Sequence, residues 1–330
     1  MPKVAIHCKA SISDGMGHIY RQTHLANELK KQGWEISFYI PHFAPAIDLL
    51  SRFGFTPVLI NPESSISEYF DKFFDFVVFD IQDTTESLVC SIKKFTHWIA
   101  SFEDLGTGRN HVDILIDCNL APSESKNLSP STRGLFGTDY SVLHPDFTYY
   151  HTQSRHFSVC LQSALITMGA TDPQNLTFPL VQLILQEKND LKLTVLVGHN
   201  TANASRLNDL STQFKSLNVL GLASNMAQIL WEHEAVVCAG GVTLHEATAV
   251  GTPAFVINQA EHQQTKARFV EKSGAAINLG LGKKYDVEKL RKALGLRKPE
   301  LESMSLKGKK LIDGRGIFRV TEAMTKLIKK

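Results

Sequence analysis

AVVCAGGVTLHEATAVGTPAFVIN, residues 235–258, contains a strand, a turn, a helix and a second strand in one short passage. AVVCAG (235–240) is a continuous apolar run that ends in glycine, 243–250 carries a helical pattern, and PAFVIN (253–258) is apolar again. Strands this apolar are buried on both faces. A strand returning after so compact a helix predicts parallel pairing in an α/β sheet.

The same alternation extends in both directions. SALITMG (163–169), KLTVLVG (192–198) and NVLGLA (218–223) are strand-like, with helical segments at 175–187, 203–214, 225–232 and 262–273. The first half repeats the pattern with KVAIHC (3–8), EISFYI (35–40), DFVVFDI (75–81), HWIASFED (97–104) and VDILIDC (112–118). Between the first two strands, positions 19, 23, 26 and 29 mark a helix face, and Gly33 stands where a helix C-cap glycine belongs. Residues 120–157 break the rhythm with Ser, Pro, Thr and His, and read as a long irregular stretch. The expected organisation is two doubly wound Rossmann-like domains facing a cleft. Residues 1–150 form the first, 151–157 a linker, 158–315 the second, and the helix 316–330 crosses back. In such sheets ligands bind beyond the carboxyl ends of the strands.

Composition narrows the function. The 330 residues are 43% hydrophobic and 21% charged, with a net charge of +2, so no electrostatic footprint for nucleic acid exists. The five cysteines include no C-x-x-C, and four lie in or beside apolar runs, which predicts reduced thiols and a cytoplasmic setting. No run is long enough to span a bilayer, and the N-terminal apolar run is too short for a signal peptide. No H-E-x-x-H, Cys/His set or G-x-S-x-G occurs, so neither a metal, a cofactor nor an acyl-transfer serine is expected.

Several strand ends carry polar groups. In AGGVTLHEA (239–247), Gly240 and Gly241 let a ligand approach the backbone, and the first-turn amides from Gly241 through Val242 to Thr243 favour a phosphate. Glu246 can accept hydrogen bonds from ribose, although Thr243 and Glu246 also have capping-box spacing. MGATDPQN (168–175) offers Gly169 and Thr171, and INQAEHQ (257–263) offers Gln259 and Gln263 for sugar or phosphate hydroxyls. In the first half, DGMGHIYR (14–21) presents His18 after a glycine pair. Histidine titrates near neutrality and can take a proton from water or an alcohol. Gly17 clears space for a sugar, and Asp80, Asp83, Glu103, Asp104 and Asn119 lie at or beyond strand ends. Any of these carboxylates can instead cap a helix.

Together, DGMGHIYR, FEDLGTGRNHVDILIDCN (102–119), RGLFGTDYSVLHPDF (133–147), MGATDPQN and AGGVTLHEATAVGTPAFVINQAEHQ (239–263) resemble the pseudaminic-acid pathway UDP-sugar hydrolases and the spore-coat polysaccharide "predicted glycosyltransferases". These are GT-B proteins. The resemblance implies that His18 is the catalytic base, with Asp80 and Asn119 beside the reacting sugar. It implies diphosphate on Gly241, Val242 and Thr243, ribose on Glu246, and uracil beside Leu222 and Ala223. Gly169 and Thr171 would face the nucleotide, and Gly17, Asp104, His144, Gln259 and Gln263 the sugar. The chain departs from the family where Asp80-Ile81-Gln82 replaces D-H-Y, where His144 replaces an arginine, and where Ala170 replaces a glycine.

The activity so implied is metal-independent, inverting hydrolysis of a UDP-sugar to UDP and free sugar by a monomer or weak dimer. The alternatives are an inverting glycosyltransferase with the same donor site, and a nucleotide-sugar-binding subunit without catalysis of its own.

Overall fold

The computed structural model describes residues 1–120, 123–124, 128–198, 203–221, 223 and 225–329. It divides into two compact units, Met1–His144 with Arg315–Lys330, and Pro145–Gly314.

The first unit holds a seven-stranded, all-parallel sheet in the order β3-β2-β1-β4-β5-β6-β7. Its strands are β1 (Lys3–Cys8), β2 (Glu35–Pro41), β3 (Val58–Ile60), β4 (Phe74–Asp80), β5 (Thr96–Phe102), β6 (Ile114–Asp117) and β7 (Arg133–Phe136). Helices α1 (Gly17–Lys31), α2 (Ala44–Arg52) and α3 (Glu86–Ile92) provide crossovers. Ala5, Val77, Phe79, Ile99 and Leu115 share one buried cluster, as strands covered on both faces require.

The second unit holds a six-stranded parallel sheet in the order β10-β9-β8-β11-β12-β13. Its strands are β8 (Ser163–Thr167), β9 (Lys192–Leu196), β10 (Leu217–Leu220), β11 (Ala235–Cys238), β12 (Ala254–Asn258) and β13 (Ala276–Leu281). Helices α4 (Asp146–Thr152), α5 (Thr177–Glu187), α6 (Ala204–Gln213), α7 (Met226–Glu232), α8 (Val242–Val250), α9 (Gln263–Ser273), α10 (Val287–Leu294) and α11 (Lys298–Leu311) accompany it. Ile166, Val195, Val237 and Phe255 anchor its core.

Two expectations change. The stretch 120–157 is not wholly irregular, because it contains β7 and α4. The domain boundary falls at 144/145 rather than at 150, since α4 packs on α7 and α8. His151 adds a side-chain hydrogen bond to Ala249 O at 2.9 Å, so residues 151–152 are part of the second unit's packing rather than free linker. The last helix, α12 (Gly316–Ile328), packs on α1 and buries Ile317, Val320 and Met324 in the first unit. No helix among the described residues is long and apolar enough to cross a membrane.

Candidate functional site

Both sheets reverse strand order beside their first strand. In the first unit the reversal lies between β1 and β4, and in the second between β8 and β11. Crevices outside the carboxyl ends of strands form at these points. His18, in the first turn of α1, follows β1, and Asp80 is the last residue of β4. Gly169 and Thr171 follow β8, and Gly241 follows β11.

Asp80 is completely buried and accepts hydrogen bonds from His18 Nδ1 at 2.6 Å, Arg21 Nε at 2.9 Å, Arg21 Nη2 at 2.7 Å and Gln22 Nε2 at 2.8 Å. Residues 18, 21 and 22 are spaced i, i+3, i+4, so one face of α1 presents all three to β4. Burial alone would raise the Asp80 carboxyl, but Arg21 and His18 outweigh it and hold it below the usual range. The ionised carboxylate can only accept, so His18 carries its proton on Nδ1 and leaves Nε2 as the basic nitrogen. The half-buried imidazole is thereby fixed in tautomer and orientation.

Arg21 extends the network. Its Nη1 lies 2.9 Å from Glu103 Oε1, which also accepts from Cys118 Sγ at 3.1 Å. Burial opposes the guanidinium charge, yet Asp80 and Glu103 more than offset it and keep Arg21 firmly protonated. Glu103 adopts φ +47° and Gln82 φ +73°, left-handed conformations unusual for long side chains. The two strained turns are tied together by the Leu105 N to Gln82 O bond at 2.7 Å. Strain of this kind persists where surrounding contacts over-determine the backbone.

The remaining first-unit residues divide by role. Asp104 is not available to a sugar: buried, it accepts from Thr84 N at 3.1 Å, Thr84 Oγ1 and Gly106 N at 2.9 Å. Asn119 donates its backbone N–H to Asp117 Oδ1 at 2.9 Å, while its own Oδ1 is buried without a hydrogen-bond partner among the described residues. His144 packs edge-on against His24 of α1, with ring centroids 5.0 Å apart. Burial and that neighbour push His24 down to about 3, so it stays neutral. Gly17 opens α1 as its first residue, and Gly15, at φ +75°, makes the turn before it, where its amide donates to Ser11 O at 3.0 Å.

In the second unit two helix starts differ sharply. Asp172 accepts from Leu176 N at 3.0 Å and Thr177 N at 2.9 Å, filling the start of α5 with a protein carboxylate. No anion is needed there, and Thr171 beside it is buried. Gly169 has φ +83°, and a methyl added to it would meet no atom of the described residues within 4 Å. Helix α8 has the opposite character. Its N-cap is Gly241, no side chain caps it, and its first turn holds no acidic residue. Thr243 therefore does not cap α8 and lies inside it, donating its hydroxyl to Glu246. The uncapped amides and helix dipole make this a ready anion site.

The two glycines before α8 do different things. A methyl on Gly240 would overlap Asn258 Oδ1 and approach Gln263 Cβ at 3.1 Å, so Gly240 accommodates protein rather than ligand. A methyl on Gly241 meets nothing within 4 Å among the described residues. Gly240→Ala is therefore expected to destabilise the fold by about 2 kcal/mol. Gly241→Ala should change stability by less than about 1 kcal/mol but weaken nucleotide binding. Thermal melts and calorimetric titration with UDP distinguish the two.

Gln259 and Gln263 are turned inward. Gln259 Nε2 donates to Met168 O, its Oε1 accepts from Gln174 N at 3.1 Å, and Gln263 Oε1 accepts from Gln259 N at 2.9 Å. Rather than reading a sugar, Gln259 locks the turn after β8 to the turn after β12. Ala223 is half-buried, and Leu222 lies outside the described residues.

The uncapped α8 lies within a segment of the second unit that matches a family model. Residues 165–312 match the glycosyltransferase family 28 C-terminal domain. Along its whole length the chain is similar to the spore coat polysaccharide biosynthesis protein SpsG of Bacillus subtilis, 27% identical with 98% of each chain covered. Its fold is that of Acinetobacter baumannii MurG, with TM-score 0.66 and 16% identity over 98% of this chain and 100% of that one. It is also that of the spinosyn rhamnosyltransferase SpnG complexed with thymidine diphosphate, with TM-score 0.60 and 15% identity over 97% and 96%. The two parallel sheets with flanking helices are the GT-B architecture expected from the sequence. The family description names glycosyl transfer, and the name of SpsG polysaccharide biosynthesis. They favour the transferase alternative over the hydrolysis that the sequence resemblance puts first, and lend no support to a pseudaminic-acid role.

Within the family 28 match, Glu246 is a carboxyl strongly altered by its surroundings. Burial raises its carboxyl to about 7, against the smaller opposing effect of the Thr243 hydroxyl. A folded-state value raised above the ordinary 4.5 means that the folded protein binds the extra proton between those limits. Stability therefore falls as pH rises from 4.5 through 7. The full penalty, up to about 3 kcal/mol, applies above that window. Glu246→Gln should be more stable than the wild type at pH 8 and no more stable at pH 4.5, as read by urea denaturation at both.

Arg21, Gln22 and Glu103 complete the first-unit site, yet only Glu103 stands out as a strand-end carboxylate in the sequence. A usable signal for the other two exists: an arginine and a glutamine at i+3 and i+4 from His18, beside Ile19 and Thr23 on the inward side of the same helix.

Proposed function

We propose that the chain is an inverting glycosyltransferase that uses a nucleoside diphosphate sugar, with UDP the favoured nucleotide, to extend a surface polysaccharide. The observation that carries the reading is the His18 Nδ1 to Asp80 hydrogen bond of 2.6 Å, which leaves Nε2 as a positioned base. The acceptor hydroxyl gives its proton to His18 Nε2 as its oxygen forms a bond to the anomeric carbon. The bond from that carbon to the diphosphate oxygen breaks, and the electron pair leaves with UDP. The second unit contributes the α8 amides of Gly241, Val242 and Thr243, which stabilise negative charge where it develops on the leaving group. Glu246 serves the ribose. Asp80 touches no reacting atom in this scheme and is a positioning residue. The transferase reading is preferred because the relatives matched over the whole chain and over 165–312 point to polysaccharide biosynthesis and glycosyl transfer.

The test is a panel of UDP-, TDP- and CMP-sugars, assayed for nucleotide release with and without sugar and sugar-phosphate acceptors. Release that depends on acceptor supports the proposal. Equally fast release into water, with free sugar as product, replaces it with hydrolysis. Release of CMP alone overturns the choice of nucleotide.

A further inference from the structure

Away from His18, the first unit brings together three side chains that no contiguous motif connects. Glu86 and Cys90 lie one turn apart on α3, and His111 ends the turn that follows Thr107–Asn110. One ligand atom from each lies within 4.8 Å of the other two. His111 Nε2 is 3.5 Å from Glu86 Oε1. Two ligands bound to one tetrahedral zinc ion at about 2.0–2.1 Å are held about 3.3 Å apart, so this pair already has nearly the required edge.

The scaffold under the three ligands is tightly fitted. Gly108 N donates to Thr84 O at 3.0 Å, Glu86 N donates to Thr107 Oγ1 at 3.2 Å, and His111 N donates to Gly108 O at 2.9 Å. A methyl on Gly108 would overlap the Thr84 hydroxyl and press on Val89 Cγ2, so the 107–111 backbone sits directly on the start of α3. The separation of the helix from the histidine is thereby fixed by packing, independently of any ion. Glu86 and Cys90 are exposed and His111 is half-buried, which leaves a fourth coordination position open to solvent.

We propose that Glu86, Cys90 and His111 form a zinc site. A thiolate, an imidazole and a carboxylate suit Zn²⁺ and other borderline-soft divalent ions, whereas Mg²⁺ and Ca²⁺ take oxygen ligands. The ion joins α3 to the turn that follows Glu103 and Asp104, and so braces the segment whose Glu103 pairs with Arg21. Deprotonation of Cys90 accompanies binding, so affinity rises with pH.

The test uses the full chain, stripped with chelator and kept reduced, and titrated with Co²⁺ and then Zn²⁺. One equivalent of Co²⁺ should give the visible bands of a tetrahedral site together with a thiolate charge-transfer band, and Zn²⁺ should displace it. Cys90→Ser and His111→Ala should each lower Zn²⁺ affinity at least about tenfold, whereas Cys160→Ser, at the other exposed cysteine, should not. Because none of the three ligands is buried, the variants are expected to fold, and circular dichroism checks this. Failure to saturate at one equivalent, or unchanged affinity in folded Cys90→Ser or His111→Ala, overturns the site.

Discussion

His18→Ala is expected to lower turnover by about 10²–10⁴-fold, the range that a positioned general base contributes, while nucleotide affinity stays unchanged. The split follows from the division of labour. His18 belongs to the first unit, and the amides proposed to hold the diphosphate belong to the second. The imidazole is not needed for folding. It is half-buried, and without it Asp80 still accepts from Arg21 twice and from Gln22. Single-turnover assays with a competent donor and acceptor, set beside calorimetric UDP binding, read the two quantities separately. Full turnover by a folded His18→Ala protein would remove His18 from the mechanism. Loss of UDP binding in the same protein would show that the imidazole binds the nucleotide instead.

The distribution of what can be read from the sequence has a physical basis. Long, mostly apolar runs such as 3–8, 75–81 and 235–240 correspond to central strands β1, β4 and β11, because burial on both faces favours apolar residues. β3 and β7 lie at the growing edges of the sheet, where Val58 and Leu59 are exposed and β7 begins with an exposed Arg133. Three or four residues with that composition carry no period. α4 is hidden for a related reason: DFTYYHT buries only Phe147.

The site shows the same limit at the level of single side chains. His18 and Asp80 are visible as strand-end polar groups, but a carboxylate at a strand end has several fates. Asp80 holds the His18 imidazole, Asp104 ties down Thr84, and Asp172 fills a helix start. Which one applies depends on whether an arginine, a threonine or a free amide comes to meet it from a distant part of the chain. Gln259 reads as a sugar ligand in sequence for that reason, since the Met168 carbonyl it binds is 91 residues away. Gly240 and Gly241 are adjacent and identical in sequence, and the approach of Asn258 and Gln263 to Gly240 separates their roles.

Asp80→Asn is expected to have the largest effect on stability, a loss of about 3–5 kcal/mol, because it leaves Arg21 as a buried charge with half its compensation. In a unit of this size that loss corresponds to a fall in melting temperature of about 10 °C or more. Asparagine matches aspartate in shape, so the penalty reports charge and hydrogen bonding rather than a cavity. The acid limb supplies a second reading. A carboxyl held below its ordinary range stabilises the fold fully above about pH 4 and ceases to do so as pH falls through its lowered value. The wild type should lose that contribution only in strong acid, and Asp80→Asn should lack the corresponding limb. Arg21→Met provides the other corner of a double-mutant cycle. Two hydrogen bonds join Arg21 to Asp80, so the double variant should lose clearly less stability than the sum of the single losses. Simple additivity would mean that the pair contributes little as a pair. Activity separates positioning from structure: Asp80→Asn presents His18 with an amide that no longer dictates which ring nitrogen carries the proton. Its turnover should therefore fall even at temperatures where the variant is fully folded.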